Sequence, residues 1–357
     1  MSDRNVSRGA PEQLTLGFSK SSGGGCGRRI LHRNEELDLF EQLITFENIF
    51  RAWELFKTGK RKRQDVIHFE SSLEDNLFQL RDDLVSGRYR HNPYAPFTIH
   101  DPKQRTIHKA VVKDRVVHQA VINVIESLFE GKFIFDSYSC RINKGTHAAV
   151  ARLRSFLRSA TRNGTATVYA VKCDVKKFFA SVDHAVLIRL LCGQITDQKM
   201  IALLRMIVES FSVTPGIGLP LGNLTSQLFA NVYLHELDWH IKQRMRVRHY
   251  LRYCDDFVML APSMQEAVRL VEQADDFLRN TLNMQLHPNK IRIRTWRQGV
   301  DFLGYVLLPN AIILRPQTAK RAVRCITPEN ASSYLGLCTH TNAYELSCLL
   351  RNKVGKY

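Results

Sequence analysis

The chain has 357 residues, enough for two or three subdomains around more than one core. Its 51 Lys and Arg against 34 Asp and Glu give a formal net charge of +17, spread along the whole length, which points to a polyanionic partner. No run approaches ~18 consecutive apolar residues and the N-terminus lacks an apolar signal core, which excludes a spanning helix and favours nucleic acid over a membrane.

Residues 1–33, including SKSSGGGCGRR, are rich in Gly, Ser and charge without a hydrophobic period, so a flexible leader is expected there. Between Glu35 and Lys57 the residues Leu39, Leu43, Phe46, Phe50 and Trp53 recur at steps of four and three, which predicts one amphipathic helix with that stripe against the core. KTGKRKRQ (57–64) is a basic stretch suited to a solvated loop or to phosphate contacts. Helix-like and strand-like segments then alternate to about residue 306, with no internal repeat. Among them, TVYAVKCDVKKFF (167–179) predicts a nearly continuous apolar strand ending in Asp174. In HYLRYCDDFVML (249–260) the short apolar runs YLRY and FVML predict a β-hairpin with Asp255 and Asp256 at its tip. The last fifty residues, rich in Leu, Arg and Lys, read as a small helical appendage. The eight cysteines form no Cys-x-x-Cys pair, so reduced thiols in a cytoplasmic setting are expected.

Asp is an ordinary turn former, and a lone Asp-Asp in a hairpin would mean little. A second strand changes that. If the strand ending in Asp174 lies beside the hairpin, Asp174 is expected to face Asp255 across the sheet. Two carboxylates about 5 Å apart repel by roughly 3 kcal/mol at an effective dielectric of 20, so a cation is needed between them. The sequence offers no His or Cys cluster for zinc, and carboxylate oxygens suit a hard ion such as Mg²⁺. Two such ions form the arrangement used in nucleotidyl transfer.

Seven segments stand in a telling order: VVKDRVVHQAV (111–121), SYSCRINKGTHAA (137–149), DVKKFF with Asp174, GLPLGNLTSQLFANVYLHELD (218–238), YCDD with Asp255 and Asp256, LHPNKIRI (286–293) and VDFLGYVL (300–307). Together they resemble the motifs of reverse transcriptases over roughly residues 80–310. LGNLTSQLFANVYL, the RYCDDF hairpin and SYLG at 333–336 are most similar to the enzymes of diversity-generating retroelements, which copy a template RNA into a variable gene with errors concentrated at adenines. The resemblance implies an α+β right-hand polymerase fold. Its parts would be a leader (1–33), N-terminal helices and fingers (34–165), a palm with a small antiparallel sheet and primer grip (166–310), and a short helical thumb (311–357). It also implies two Mg²⁺ ions, with Mn²⁺ able to substitute. The implied partners are a template RNA, a primer or cDNA strand, dNTPs and a small basic oligomeric accessory protein.

Residue by residue, the resemblance makes Asp174 and Asp255 direct metal ligands and Asp256 a weaker one, with Val175 in the same metal-binding set. Lys290 would protonate departing pyrophosphate. Phe179 would lie beneath the incoming sugar and exclude a 2′-hydroxyl. Arg105, Lys109 and Arg141 would clamp the triphosphate. Leu221, Gly222 and Gln227 would line the nucleotide position, where most reverse transcriptases carry Gln before the Gly and Pro after the Ser. Phe302, Leu303, Gly304 and Tyr305 would form the primer grip. A retron or group II intron enzyme, or a non-catalytic RNA-binding scaffold, remain the alternatives. Two constellations are set aside. His235 and His240 in HELDWH are about 140° apart on a helix and read as helix surface. Asp183 and His184 are adjacent only in sequence.

Overall fold

Thr45 decides how the described chain begins. Its side chain accepts the Asn48 N–H at 3.2 Å, an N-cap that starts a new helix. This computed structural model describes residues 38–100 and 104–355, so the expected leader lies outside the described residues. The first elements are therefore two helices, α1 (Leu39–Leu43) and α2 (Phe46–Lys57). The restart shifts the helical phase and corrects the expected stripe. Leu43 and Trp53 are buried, but Phe46 and Phe50 are 38% and 44% exposed, and Ile49, Ala52 and Phe56 take the core face.

α3 (Gln64–Glu70) and α4 (Leu73–Val85) follow, then a hairpin of β1 (Ala95–Ile99) and β2 (Arg105–Lys109), and the long helices α5 (Val112–Glu130) and α6 (Thr146–Ala160). The next stretch holds β3 (Tyr169–Asp174), α7 (Phe178–Ser181), α8 (His184–Cys192), α9 (Gln198–Glu209), α10 (Leu224–Trp239), β4 (Tyr250–Tyr253), β5 (Asp256–Ala261), α11 (Met264–Leu282) and β6 (Arg292–Thr295). Its four strands pair antiparallel in the order β4-β5-β3-β6, with α10 and α11 in the crossovers, a split βαβ arrangement.

The two-residue period of the strands divides this sheet between two cores. Val171 and Cys173 of β3, Tyr250 of β4 and Phe257 and Met259 of β5 join the cluster built with α5, α10 and α11. Ala170, Leu251, Val258 and Leu260 enter the other cluster, with α6 and the C-terminal elements. The register pairs Lys172 with Val258 and Asp174 with Asp256, so the polar residues of β3 and β5 share the face of this second cluster.

Beyond the sheet come β7 (Val300–Phe302), β8 (Tyr305–Leu307), β9 (Ile312–Leu314), α12 (Pro316–Cys325), α13 (Ala331–Cys338) and α14 (Tyr344–Val354). The three strands form their own antiparallel sheet. The helical tail expected from residue 311 thus contains a strand: β9 pairs with β8, and a boundary at 310 runs through the sheet. Three apolar residues, Ile312 to Leu314, are too short a run to separate from a helix by periodicity.

Candidate active site

The hairpin turn is tighter than the sequence suggests. Tyr253 pairs with Asp256, so only Cys254 and Asp255 form the turn, with Cys254 at φ 54°. Asp256 is therefore the first residue of β5, and it, not Asp255, lies directly opposite Asp174. This corrects the expected Asp174–Asp255 pairing. Asp255 stays close through the backbone, because its carbonyl accepts the Val175 N–H at 3.2 Å.

Burial and crowding act on the two carboxylates of the YCDD hairpin. Burial, with the Asp174 charge adding to it, raises the Asp255 carboxyl above the ordinary range. Burial, partly offset by Lys172 and reinforced by Asp255 and Asp174, pushes Asp256 up to about 6. Two ammonium groups moderate the repulsion. Lys290 Nζ lies 2.6 Å from Asp174 Oδ1, and Lys172 Nζ lies 3.7 Å from Asp256 Oδ1. Lys290 is placed by a loop strapped to the end of β3: His287 N–H donates to the Asp174 carbonyl at 2.8 Å, Lys176 N–H to Gln285 at 2.9 Å, and Lys290 N–H to His287 at 2.9 Å.

Among the described residues no three His, Cys, Asp or Glu side chains converge to enclose an ion by themselves. What the site offers is a set of crowded carboxylate oxygens, two of them with raised pKa values. That donor chemistry fits a hard ion that keeps water or phosphate oxygens among its ligands. Asp174 and Asp256 open into a cleft of about 610 Å³ between the four-stranded sheet and the three-stranded one. Its walls include Lys172, Lys290, Arg292, Arg294 and Arg315, a basic channel at the acidic centre. The alternation of Lys172 with Asp174, and of Arg292 with Arg294, is the two-residue signal that placed these cations on the cleft face.

Beneath the turn sits a group that sequence reasoning treated as surface. Asp238, inside the dismissed HELDWH, is fully buried, and so is Arg252. Arg252 donates to Asp238 Oδ1 and Oδ2, each at 2.7 Å, and the Tyr250 hydroxyl donates to the same Oδ1 at 2.5 Å. The remaining guanidinium bonds reach the Cys254 carbonyl at 3.0 Å, Asn231 Oδ1 at 3.3 Å and Ser137 Oγ at 3.2 Å. One buried cation thus ties the Cys254–Asp255 turn to α10. The 231–238 spacing places Asn231 and Asp238 on one helix face, the signal that was available.

Leu221, Gly222 and Gln227 lie at the start of α10. Leu221 is half-buried, while Gly222 and Gln227 are exposed. The His108 N–H donates to the Leu221 carbonyl at 3.0 Å and Asn223 Nδ2 donates to the His108 carbonyl at 3.1 Å, docking β2 on this loop. Gly222 has φ +103°, and a Cβ there would meet Ile107 Cγ2 at 2.6 Å. Gly222→Ala is therefore expected to cost about 1–3 kcal/mol through the backbone alone, and to loosen the hairpin. A lower Tm together with faster amide exchange at His108 is the expected result, and no change in either would show that the contact is slack.

The expected phosphate clamp is not assembled. Arg141 is held by Glu130 in a bidentate pair at 2.7–3.0 Å and donates to the Ile134 and Ser137 carbonyls, so its guanidinium serves the fold. Lys109 pairs with Asp65 at 2.8 Å beside Arg115. Arg105 is exposed on β2. Phe179 is half-buried with its ring 5.2 Å from that of buried Phe178. In the expected primer grip, Phe302 and Tyr305 are buried and cannot touch a strand. Leu303 and Gly304, at φ 50° and 90°, form the turn between β7 and β8 and are the members left at the surface. Asp183 caps α8 through the Val186 N–H and His184 Nε2 bonds the Gly218 carbonyl at 2.7 Å, ordinary structural roles.

Residues 100–307 match the family described as reverse transcriptase (RNA-dependent DNA polymerase). The chain belongs to that family. Its fold is accordingly the right-hand polymerase fold, with β3–β6 as the palm sheet, and its enzyme class is RNA-directed DNA polymerase. The reverse transcriptase is 25% identical over 281 residues to Protein YkfC of Escherichia coli, covering 67% of this chain and 73% of YkfC. It is 24% identical over 304 residues to the group II intron-encoded protein LtrA of Lactococcus lactis, covering 65% of this chain and 49% of LtrA. An uncharacterized 91 kDa protein in the cob intron of Schizosaccharomyces pombe is 30% identical over 166 residues, covering 45% of this chain and 18% of that protein. The reverse transcriptase thus spans about half of LtrA. No helix among the described residues is long and apolar enough to cross a membrane.

Proposed function

We propose that this reverse transcriptase copies a template RNA into error-prone cDNA within a diversity-generating retroelement. The observation that supports polymerisation best is Asp174 opposite Asp256 with Asp255 in the turn, beside Lys290 at 2.6 Å. Asp174, Asp255 and Asp256, with Val175 beside them, would hold Mg²⁺, or Mn²⁺ as substitute, which when bound would activate the primer 3′-hydroxyl and neutralise charge on the triphosphate. Lys290 donates a proton to the departing pyrophosphate. Lys172, Arg292, Arg294 and Arg315 attract the phosphates of template and primer into the cleft. Phe179 fills the space that a 2′-hydroxyl needs. Leu303 and Gly304 hold the primer end. A small basic accessory protein and a cytoplasmic setting complete the proposal.

The subtype rests on Leu221, where most reverse transcriptases carry glutamine. A glutamine donates and accepts hydrogen bonds, and a site built on them rejects misplaced substrates because its own polar groups go unpaired. Leucine discriminates only through packing, worth about 1–3 kcal/mol with little directional demand. Leu221→Gln is expected to lower misincorporation opposite template adenine more than opposite the other three bases. Mg²⁺-dependent extension of a primer on one RNA template, followed by cDNA sequencing, tests both levels. Absent extension sinks the polymerase proposal, and an unchanged adenine-specific error spectrum sinks the role of Leu221. A second proposal, a group II intron-type enzyme, is favoured by the LtrA and cob-intron relatives. Two near-identical repeats beside the gene, differing mainly at adenines of one copy, would decide for the first.

A further inference from the structure

The basic charge of the chain is not confined to the cleft. β4 is an edge strand of the palm sheet, and along the side where it meets α6 a row of cations runs past one exposed ring and one buried one. Phe135 is 66% exposed, with Lys144 Nζ 3.4 Å from its ring centroid. Arg152 bridges Phe135 and Phe156, its Cζ 5.3 Å and 4.6 Å from the two rings. Phe156 packs edge-on to His249 at 5.1 Å. Past His249 the surface sinks into a cavity of about 430 Å³ whose rim carries Arg162, Arg246 and Arg248.

These cations are available. Among the described residues, Lys144, Arg162, Arg246 and Arg248 make no ion pair, whereas Arg152 is fixed by Asp136 at 2.8 Å. The loop is braced from below, since Lys242 Nζ donates to the Arg248 carbonyl at 2.8 Å. One carboxylate, Glu266, reaches the cavity wall, and Arg269 holds it at 2.8 Å. The cavity lies at the Leu260–Pro262 end of β5, while the catalytic turn lies at the other end, roughly 17 Å away at 3.3 Å per residue. It is therefore not part of the cleft.

We infer that this palm edge is a second nucleic-acid surface, a track for a single-stranded segment of the RNA that the enzyme copies. An exposed ring such as Phe135 accepts a base by stacking whatever its identity, and the unpaired arginines around the cavity pair with the phosphates. An anionic membrane would meet a flat field of cations, but here they surround a concavity beside an exposed ring. The choice of RNA as occupant rests on the polymerase proposal; the binding measurement does not.

The test uses the full chain and a fluorescein-labelled 20-mer of uridine, with no primer present. In the Arg246→Glu/Arg248→Glu variant, affinity is expected to fall roughly tenfold or more. The slope of log K against log salt should shrink by about 1.4, two phosphate contacts at ~0.7 each. Phe135→Ala is expected to weaken binding with the slope unchanged. Extension of a pre-annealed primer–template hybrid at saturating concentration is expected to stay at the wild-type rate in both. Affinity and slope unchanged in both variants overturn the track. Loss of binding to phosphatidylserine vesicles with RNA affinity intact overturns it in favour of a membrane. If the charge reversal impairs folding, Arg246→Gln/Arg248→Gln gives the same slope reading. A wild-type enzyme that binds the 20-mer through these residues yet extends no primer keeps the track and removes the polymerase proposal alone.

Discussion

Asp238→Ala is expected to destabilise the protein by about 3–5 kcal/mol, because it leaves a fully buried guanidinium without its counter-ion. The loss is larger than that of one bond. Arg252 would keep only neutral partners, the Cys254 carbonyl, Asn231 and Ser137, and the Tyr250 hydroxyl would lose its acceptor. Desolvating a charge without a partner costs several kcal/mol, whereas replacing both members by apolar residues of similar volume is often close to neutral. Arg252→Met combined with Asp238→Leu is therefore expected to recover most of the stability lost by Asp238→Ala. Activity should not return with it, since the Cys254 carbonyl loses the donor that fixes the turn. Urea unfolding and primer extension on the three variants check this. A loss below about 1 kcal/mol for Asp238→Ala would mean that water or another acceptor reaches Arg252.

Asp255→Asn is expected to do the reverse: extension falls by on the order of 10³-fold or more, the several kcal/mol that charge stabilisation by a bound ion supplies, while the fold holds. The sign of the stability change follows from the raised pKa. Burial and the charge of Asp174 raise the folded-state pKa of Asp255. A carboxyl whose folded pKa exceeds its unfolded value destabilises the folded state at pH values above both, where it is ionised. Replacing it with a neutral amide removes that cost, so at neutral pH the Tm should be unchanged or higher. A variant that extends primers normally would remove Asp255 from the catalytic set. One that melts well below the wild type would show that the carboxylate is needed by the turn itself.

The parts of this site legible in the sequence were those written in short, unusual strings. YCDD between two apolar runs fixed a hairpin, and TVYAVKCD fixed a strand ending in a carboxylate, because both are local patterns. Which aspartate faces which was not legible. It depends on whether the hairpin has a two- or three-residue turn, and a one-residue change in register exchanges Asp255 for Asp256. Burial of charge was equally hidden. HELDWH has the composition of helix surface, and only the approach of Arg252 from a neighbouring strand turns Asp238 into a core residue. Arg141 failed as a phosphate ligand for the same reason: nothing in SYSCRINKG reveals that Glu130, at the end of the preceding helix, takes its guanidinium. The stripe from Leu39 to Trp53 ran across Thr45 without a break, so the new helix that Thr45 caps went unread. For Asp238 and Arg141 the error lay in contacts between segments, which periodicity does not encode; for the turn and the cap it lay in a shift of one or two residues within a segment.

The docking of β2 on the loop before α10 has a consequence for how this enzyme can change over time. No residue of strands β1 and β2 is buried, and a two-stranded hairpin is marginally stable alone. Its position is borrowed from its neighbours: two hydrogen bonds to the loop before α10, Ile107 lying against Gly222, the Lys109–Asp65 ion pair and the His108 ring on Phe211. A bulkier residue at position 107 or any side chain at position 222 therefore presses the hairpin and the loop apart, and the hairpin carries Arg105 and Lys109 with it. Residues in contact in this way do not contribute additively. The two segments, more than a hundred positions apart in the chain, form one unit of inheritance: a change at position 221 or 222 is accepted or rejected according to what already occupies position 107.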